Sequence, residues 1–275
     1  MLKHIDFHKL SGCGNDFIII DNRKKIVEET NFSQFVANVC RRKMSAGADG
    51  LILVEPSETA DFKWQFFNSD GTRAEMCGNG ARCAARFAYV NGIAGPEMSF
   101  ETEVGLISAH VINDRVKINV PDPTALRTDF PLELEEKQLS VSRVNTGVPH
   151  VIIETDSPDD AQVIKLGREI RFHKDFAPEG TNVNFVCSHK DGTLTNRTYE
   201  RGVEDETLAC GTGCIGAAIV MASKSKTKSP TRVNTRSGGY LTIHYKQKQD
   251  QFYDIYLEGD ARIIYRGELW KDAWN

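Results

Sequence analysis

The chain has 275 residues, 40% of them hydrophobic and 26% charged, with a formal net charge of −4. That balance belongs to an ordinary soluble globular protein, long enough for about two domains. It excludes a global positive field that would recruit nucleic acid or an anionic membrane surface. No stretch reaches the ~18 uninterrupted apolar residues of a membrane span. Charges interrupt Met1–Leu10 every few residues, so no signal peptide is read there and a cytoplasmic location is expected.

In chain order, Phe7–Lys9, Phe17–Asp21, Gly50–Glu55 and Phe62–Asn68 are apolar or alternate apolar with polar, and they predict strands. Ser33–Arg42 predicts a helix that the Asn31-Phe32-Ser33 start can cap. Gly78–Val90 predicts a strongly apolar helix, followed by strands over Glu101–His110 and Arg115–Val120. Pro121-Asp122-Pro123 then breaks the chain and marks a candidate domain boundary. Beyond it come a strand over Val148–Thr155 and an amphipathic surface helix over Asp159–Arg171, with Asp159 and Asp160 in its first turn. Strands over Val183–Ser188 and Gly192–Glu200 precede a second apolar helix, Gly211–Ser223. Lys224, Lys226 and Lys228, separated by Ser and Thr, read as a solvated loop. Strands over Gly239–Gln247 and Gln251–Gly259 complete the series.

The chain echoes itself. Cys77-Gly78-Asn79-Gly80 opens the first apolar helix and Cys210-Gly211-Thr212-Gly213 opens the second, at an offset of 210 − 77 = 133. The same offset carries Thr102 to Thr235 and Gly105 to Gly238. More loosely, Gly14-Asn15-Asp16-Phe17 resembles Gly180-Thr181-Asn182-Val183-Asn184-Phe185. The expected fold is α+β: two pseudo-symmetric domains, each a mostly antiparallel sheet wrapped around a central helix. Residues 1–120, joined by the C-terminal segment 263–275, form the first half, and residues 121–262 the second.

Seven cysteines, at 13, 40, 77, 83, 187, 210 and 214, without an export signal argue against a disulfide framework. There is no C-x-x-C pair and no H-E-x-x-H, so no metal site is expected. Cys77 and Cys210 stand apart because each sits at a helix start. Glycines there let a ligand approach the main chain. The unpaired N–H groups and partial positive charge of a first turn favour a carboxylate ligand and a thiolate. A helix terminus is worth about 0.3–1 kcal/mol, up to ~2 when partly buried. At ~1.36 kcal/mol per unit, a thiol pKa would fall by about 0.2–1.5 units, toward neutrality. Two such cysteines flanking an α-carbon could invert it: one thiolate removes the α-proton and the other thiol returns a proton to the opposite face. Carboxylate hydrogen bonds would stabilise the enediolate-like charge. Cys83 and Cys214, deeper in the same helices, read as core.

At these residues the sequence resembles diaminopimelate epimerases over nearly its whole length. The motifs are Gly12-Cys13-Gly14-Asn15-Asp16-Phe17, Gly47-Ala48-Asp49-Gly50, Phe67-Asn68-Ser69-Asp70-Gly71 and Met76-Cys77-Gly78-Asn79-Gly80-Ala81-Arg82-Cys83. They continue with Asn145-Thr146-Gly147-Val148-Pro149-His150, Glu179-Gly180-Thr181-Asn182-Val183-Asn184-Phe185 and the run Tyr199–Gly213. The resemblance implies interconversion of LL- and meso-diaminopimelate without cofactor, in lysine and peptidoglycan precursor synthesis, by a two-domain homodimer. It implies Cys77 and Cys210 as the acid/base pair. Asn15, Asn68, Gly78, Asn79, Asn182, Glu200, Arg201, Gly211 and Thr212 would bind substrate, and His150 and Glu200 would influence the cysteine pKa values. Arg201 offers a bidentate fork for a carboxylate and Glu200 a counter-charge for an ammonium, which suits a substrate with two amino-acid heads.

The chain departs from some members of that family, which carry Gln at Gly50 and Asn at Val148 and are one residue shorter between Arg201 and Cys210. Two rivals have specific signatures. Proline racemase or hydroxyproline epimerase relatives typically have His after Cys-Gly, where this chain has Asn79. A non-catalytic thiol redox protein would use Cys77 and Cys210 as a disulfide switch.

Overall fold

The computed structural model describes residues 4–28, 32–158 and 161–275. The chain forms two compact units, residues 1–119 with 259–275, and residues 120–258. Among the described residues, no helix is long and apolar enough to cross a membrane.

In chain order the first unit holds β1 (His4–Gly12), β2 (Asn15–Asp21), α1 (Phe32–Val39), β3 (Gly50–Glu55), β4 (Phe62–Asn68) and α2 (Gly78–Val90). It continues with β5 (Glu97–Thr102), β6 (Gly105–Ile112) and β7 (Arg115–Asn119). The second unit holds β8 (Thr124–Glu133), β9 (Gln138–Asn145), β10 (Pro149–Glu154), α3 (Val163–Arg171), β11 (Asn182–Ser188) and β12 (Leu194–Glu200). Then come β13 (Asp205–Thr207), α4 (Gly211–Ser223), β14 (Thr231–Asn234), β15 (Tyr240–Lys248) and β16 (Gln251–Asp260). The chain returns to the first unit as β17 (Arg262–Trp270).

The two units share one pairing scheme. In the first, the ladders run β17–β1–β2–β3–β4–β5–β6–β7, parallel at β2–β3 and β4–β5 and antiparallel elsewhere. In the second they run β8–β9–β10–β11–β12–β14–β15–β16, parallel at β10–β11 and β12–β14 and antiparallel elsewhere. Short β13 adds to β12. The expected mostly antiparallel α+β halves are what the ladders show. Each sheet curls around one helix: α2 packs on β1, β2, β3, β6 and β7, and α4 on β9, β10, β11, β12, β14 and β15. A helix hydrophobic all round must be buried, and Gly213–Ala222 of α4 are buried without interruption.

A second helix covers the outer face of each sheet. In the first unit α1 buries Phe32, Phe35, Val36 and Val39 in a cluster with Ile18, Ile20, Leu51, Leu53 and Phe67. In the second unit Val163 and Ile170 of α3 join Val151, Ile153, Val183, Phe185 and Tyr199. Asn31, expected to cap the first outer helix, and Asp159–Asp160, expected in the first turn of the other, lie outside the described residues. The described helix begins only at Val163.

The expected strand over Glu101–His110 is in fact a hairpin. Gly105 takes φ +112, and the Thr102 hydroxyl donates to the Gly105 carbonyl at 2.7 Å. The matching turn in the other unit has Gly238 at φ +81, with Thr235 donating to the Gly239 carbonyl at 3.2 Å. The looser echo needs correction. Gly14 precedes β2, whose counterpart in the pairing scheme is β10, preceded by Gly147 (147 − 14 = 133), and both take positive φ, +90 and +99. Gly180 matches Gly47 instead (180 − 47 = 133), each at φ +68 before the next strand.

Gly167 generates a test of this packing. A Cβ at this position of α3 would lie 2.5 Å from Tyr199 Cβ, a clash that no rotamer relieves. Alanine gains about 1 kcal/mol of helix propensity over glycine, but overpacking costs about 1–3 kcal/mol. Gly167→Ala is therefore expected to lower stability, measured as a reduced midpoint in denaturant unfolding.

Candidate active site

The two expected acid/base cysteines occupy equivalent local positions, one in each unit. Cys77 is the N-cap of α2 with extended backbone (φ −147, ψ 115), and Cys210 is the N-cap of α4 (φ −111, ψ 111). Extended geometry is what an N-cap requires. The N–H groups that follow, from Gly78 and Asn79 in one helix and Gly211 and Thr212 in the other, belong to first turns without intrahelical partners. Each turn is thus a built acceptor site for an anionic group.

Cys77 is half-buried, and its neighbours include two neutral groups. Its sulfur accepts from the Gly80 N–H at 3.5 Å and its thiol donates to Asn15 Oδ1 at 3.6 Å. The Asn15 amide is held from behind, because Nδ2 donates to Asp49 Oδ2 at 2.7 Å. Asp49 is in turn paired with Arg42 at 2.8 Å, and Arg42 with Asp16 at 2.6 Å. A carboxylate accepts only, so Asp49 forces the amide nitrogen toward itself and the oxygen toward Cys77. Below the turn lies Arg82, fully buried, donating to the Gly78 carbonyl at 3.2 Å and to Asn79 Oδ1 at 2.8 Å. Asn79 is thereby buried and committed to Arg82. Asn68 lies exposed at the end of β4, its amide donating to Thr72 Oγ1 at 3.1 Å.

Around Cys210 the environment is closed and anionic. The residue is 8% exposed. Burial pushes its thiol well above the ordinary value, and the Glu200 carboxylate pushes further. The Thr212 hydroxyl, 3.4 Å from the sulfur, and the Gly213 amide pull the other way. Burial thus acts on this thiol in the direction opposite to the one expected from the helix start alone. Glu200 is itself raised by burial, against hydrogen bonds from Thr207, at 3.0 Å, and from Cys210. The Thr212 carbonyl accepts from Thr146 at 3.1 Å, which ties the first turn of α4 to the β9–β10 hairpin. Gly213 cannot be replaced, since a Cβ would sit 2.3 Å from Asn184 Oδ1.

Asn182 and Arg201 are linked. Asn182 Nδ2 donates to the Pro149 carbonyl at 3.0 Å, and its Oδ1 accepts the Arg201 N–H at 2.9 Å. The Arg201 guanidinium donates to the Glu179 carbonyl at 3.2 Å. Among the described residues it has no carboxylate partner, so most of its donors are available. His150 is 1% exposed and packs under α4, with burial and then the Arg201 charge pushing its pKa down to about 3. The segment from Arg201 to Cys210 is pinned by Arg197 to Glu206 at 2.5 and 2.6 Å.

At Gly50 the structure explains the departure from Gln. A Cβ there would meet the Phe67 carbonyl at 2.7 Å and the Phe66 ring at 2.8 Å, so no side chain fits. Val148 is half-buried, with its carbonyl accepting from the Thr146 N–H at 3.1 Å. Sequence reasoning assigned no role to Asp49, Thr146, Thr207 or Asn184. All four stand inside motifs quoted for the resemblance, and that position was the one available signal.

Comparison with known proteins agrees with this geometry. The family model described as diaminopimelate epimerase matches residues 7–124 and 142–264. A diaminopimelate epimerase of Aquifex aeolicus is 44% identical over 281 residues, covering 96% of this chain and 98% of the relative. That of Hydrogenobaculum is 43% identical, covering 95% and 97%. A PhzF-family phenazine biosynthesis protein of Bacillus anthracis shares the fold with TM-score 0.72 at 16% identity, covering 98% of this chain and 99% of that one. A hydroxyproline epimerase of Agrobacterium vitis does so with TM-score 0.68 at 15% identity, covering 98% and 93%. At such identities the last two show the fold alone.

The unequal burial of the cysteines makes a prediction. Cys77 is half-buried while Cys13, Cys40, Cys83, Cys187, Cys210 and Cys214 are buried. Brief alkylation of the native reduced protein with iodoacetamide is expected to modify Cys77 first, with Cys83 and Cys214 reacting only after unfolding. Peptide mass mapping over time reads the order.

Proposed function

We infer the reaction from one premise: the chain belongs to the diaminopimelate epimerase family. It interconverts LL- and meso-diaminopimelate, a step toward lysine and peptidoglycan precursors in the cytoplasm, using its own side chains as acid and base. The observation that carries this reading is the matched pair of helix N-caps, Cys77 and Cys210, each followed by unpaired first-turn N–H groups.

In one direction a thiolate takes the α-proton from one face, and the other thiol gives its proton to the opposite face. The roles exchange in reverse. The first-turn N–H groups of Gly78, Asn79, Gly211 and Thr212 donate to the α-carboxylate and stabilise the charge that moves onto it as the carbanion forms. Two ionised sulfurs beside that charge would oppose it, so the pair holds one proton between them. The surroundings support such a division of labour. Cys210 rests as thiol beside Glu200, which accepts from it. Asn15, held by Asp49, offers Cys77 an acceptor.

The second amino-acid head of the substrate needs its own partners. Arg201 supplies a fork for its carboxylate. Asn68 and Asn182 supply amides that bond either charged group. The family resemblance also brings a homodimer into the reading. β17 exposes Ile263, Ile264, Tyr265 and Trp270, apolar surface suited to burial by a second copy.

Purified protein with LL-diaminopimelate in deuterated water, without added cofactor, is expected to take deuterium at one α-position as meso product accumulates. Cys77→Ala and Cys210→Ala should each lose about 10²–10⁴-fold in turnover, the scale of an acid/base group. Near-wild-type turnover by either variant would sink the mechanism. Arg201→Ala should mainly raise KM for diaminopimelate. An equal loss of affinity for a one-headed amino acid would remove Arg201 from the distal head.

A further inference from the structure

His150 on β10 has one ring nitrogen committed and one left over. Its Nδ1 lies 3.0 Å from Asn184 Nδ2, and the same amide nitrogen donates to the Val151 carbonyl at 3.1 Å. A carbonyl only accepts, so the atom facing Val151 must be the NH₂ group. The opposite end agrees, since Asn184 Oδ1 accepts the Thr198 hydroxyl at 2.8 Å. Thr198 is fixed in turn by Asn196, whose Nδ2 donates to its hydroxyl oxygen at 3.2 Å. The amide orientation is therefore determined by the network rather than chosen. Both hydrogens of Asn184 Nδ2 are spoken for, one at Val151 and one at His150.

Nδ1 is thus an acceptor, and a neutral imidazole with an accepting Nδ1 carries its proton on Nε2. That Nε2 is buried and, among the described residues, has no hydrogen-bond partner. A buried donor left unpaired is costly, which points to an acceptor that arrives with a ligand. The positive charge of Arg201 reaches the ring, so the acceptor that fits is anionic.

We propose that Asn184 is a positioning residue that fixes His150 as its Nε2–H tautomer, and that this N–H donates to a carboxylate of the bound substrate instead of acting as a base. The substrate half of this inference rests on the function proposed above; the tautomer does not.

The test is ring ¹⁵N spectroscopy of the full-length protein, with His150 assigned through a His150→Gln variant. Wild type should show a protonated, pyrrole-type Nε2 and a bare, pyridine-type Nδ1 throughout the neutral pH range. A protonated Nδ1, or an imidazolium at neutral pH, overturns the proposal. Saturating diaminopimelate should move the Nε2–H proton downfield, and an unmoved resonance overturns the donor role. In Asn184→Asp the side chain has at most one hydrogen for two acceptors, so the ring proton should move to Nδ1. kcat/KM should fall with it about tenfold or more, the scale of a hydrogen bond to a charged group. Retention of the Nε2–H form in that variant removes Asn184 from the role. If Asn184→Asp does not fold, the wild-type spectrum still decides. An inactive protein with the Nε2–H form intact would defeat the proposed reaction and leave the tautomer standing.

Discussion

A helix with no polar face has nowhere to go but inside. From Gly213 to Ala222 every residue of α4 is buried, and α2 buries Asn79–Ala85, Phe87 and Ala88. A sheet can satisfy such a helix only by curling around it, and each unit does so with the same order of parallel and antiparallel ladders. Wrapping buries the sides of a helix but leaves its first-turn N–H groups without partners. In both units the residue at that end is a cysteine followed by glycine. The proposed chemistry would draw on the opening that the packing leaves.

From this shared frame the two ends diverge in their electrostatics. Cys77 is half-buried and meets an amide whose orientation is dictated by the Asp49–Arg42–Asp16 chain. Cys210 is buried against a carboxylate that is itself raised by burial. Under the reaction proposed above, with one proton shared between two thiols, such inequality would decide which sulfur begins as acid. Identical ends would give no preference for which sulfur begins as acid.

Much of this was legible in the sequence because glycine and cysteine mark it. The Cys-Gly-x-Gly starts gave both central helices to the residue, and β3 and β4 read correctly because each is a short, mostly apolar and buried run. β8 did not read as a strand: Ala125 and Asp129 take positive φ, and its ladder with β9 shifts register around Arg127. Those irregularities erase the period-2 signal. β17 was missed because Arg262, Arg266 and Glu268 face outward and interrupt its apolar residues. At the site, motif residues could be named, but the state of Cys210 could not. Helix-end arithmetic pointed toward a lowered pKa, whereas folding buries the thiol and sets it beside Glu200 of β12, itself bonded to Thr207 of β13. The closed space at Gly50 is likewise made by Phe66 and Phe67 on the next strand.

The network behind α4 is the place where the two units solve one packing problem in opposite ways. At the first turn of α2, Gly80 faces Ile52 and Phe17. At the first turn of α4, Gly213 faces Asn184 and Thr198. The apolar solution is available to this fold, and the first unit uses it. Burying amides and hydroxyls instead costs about 1–3 kcal/mol for each that is left without a partner. The second unit satisfies nearly all of them: Asn184, Thr198, Asn196 and Cys214 bond one another or the main chain. What remains is Asn196 Oδ1 and the Nε2 of His150. A network that is costly to install and complete except at Asn196 Oδ1 and one ring nitrogen is accounted for by the orientation of that ring. Stability alone does not favour it over the pair of apolar side chains used in the other unit.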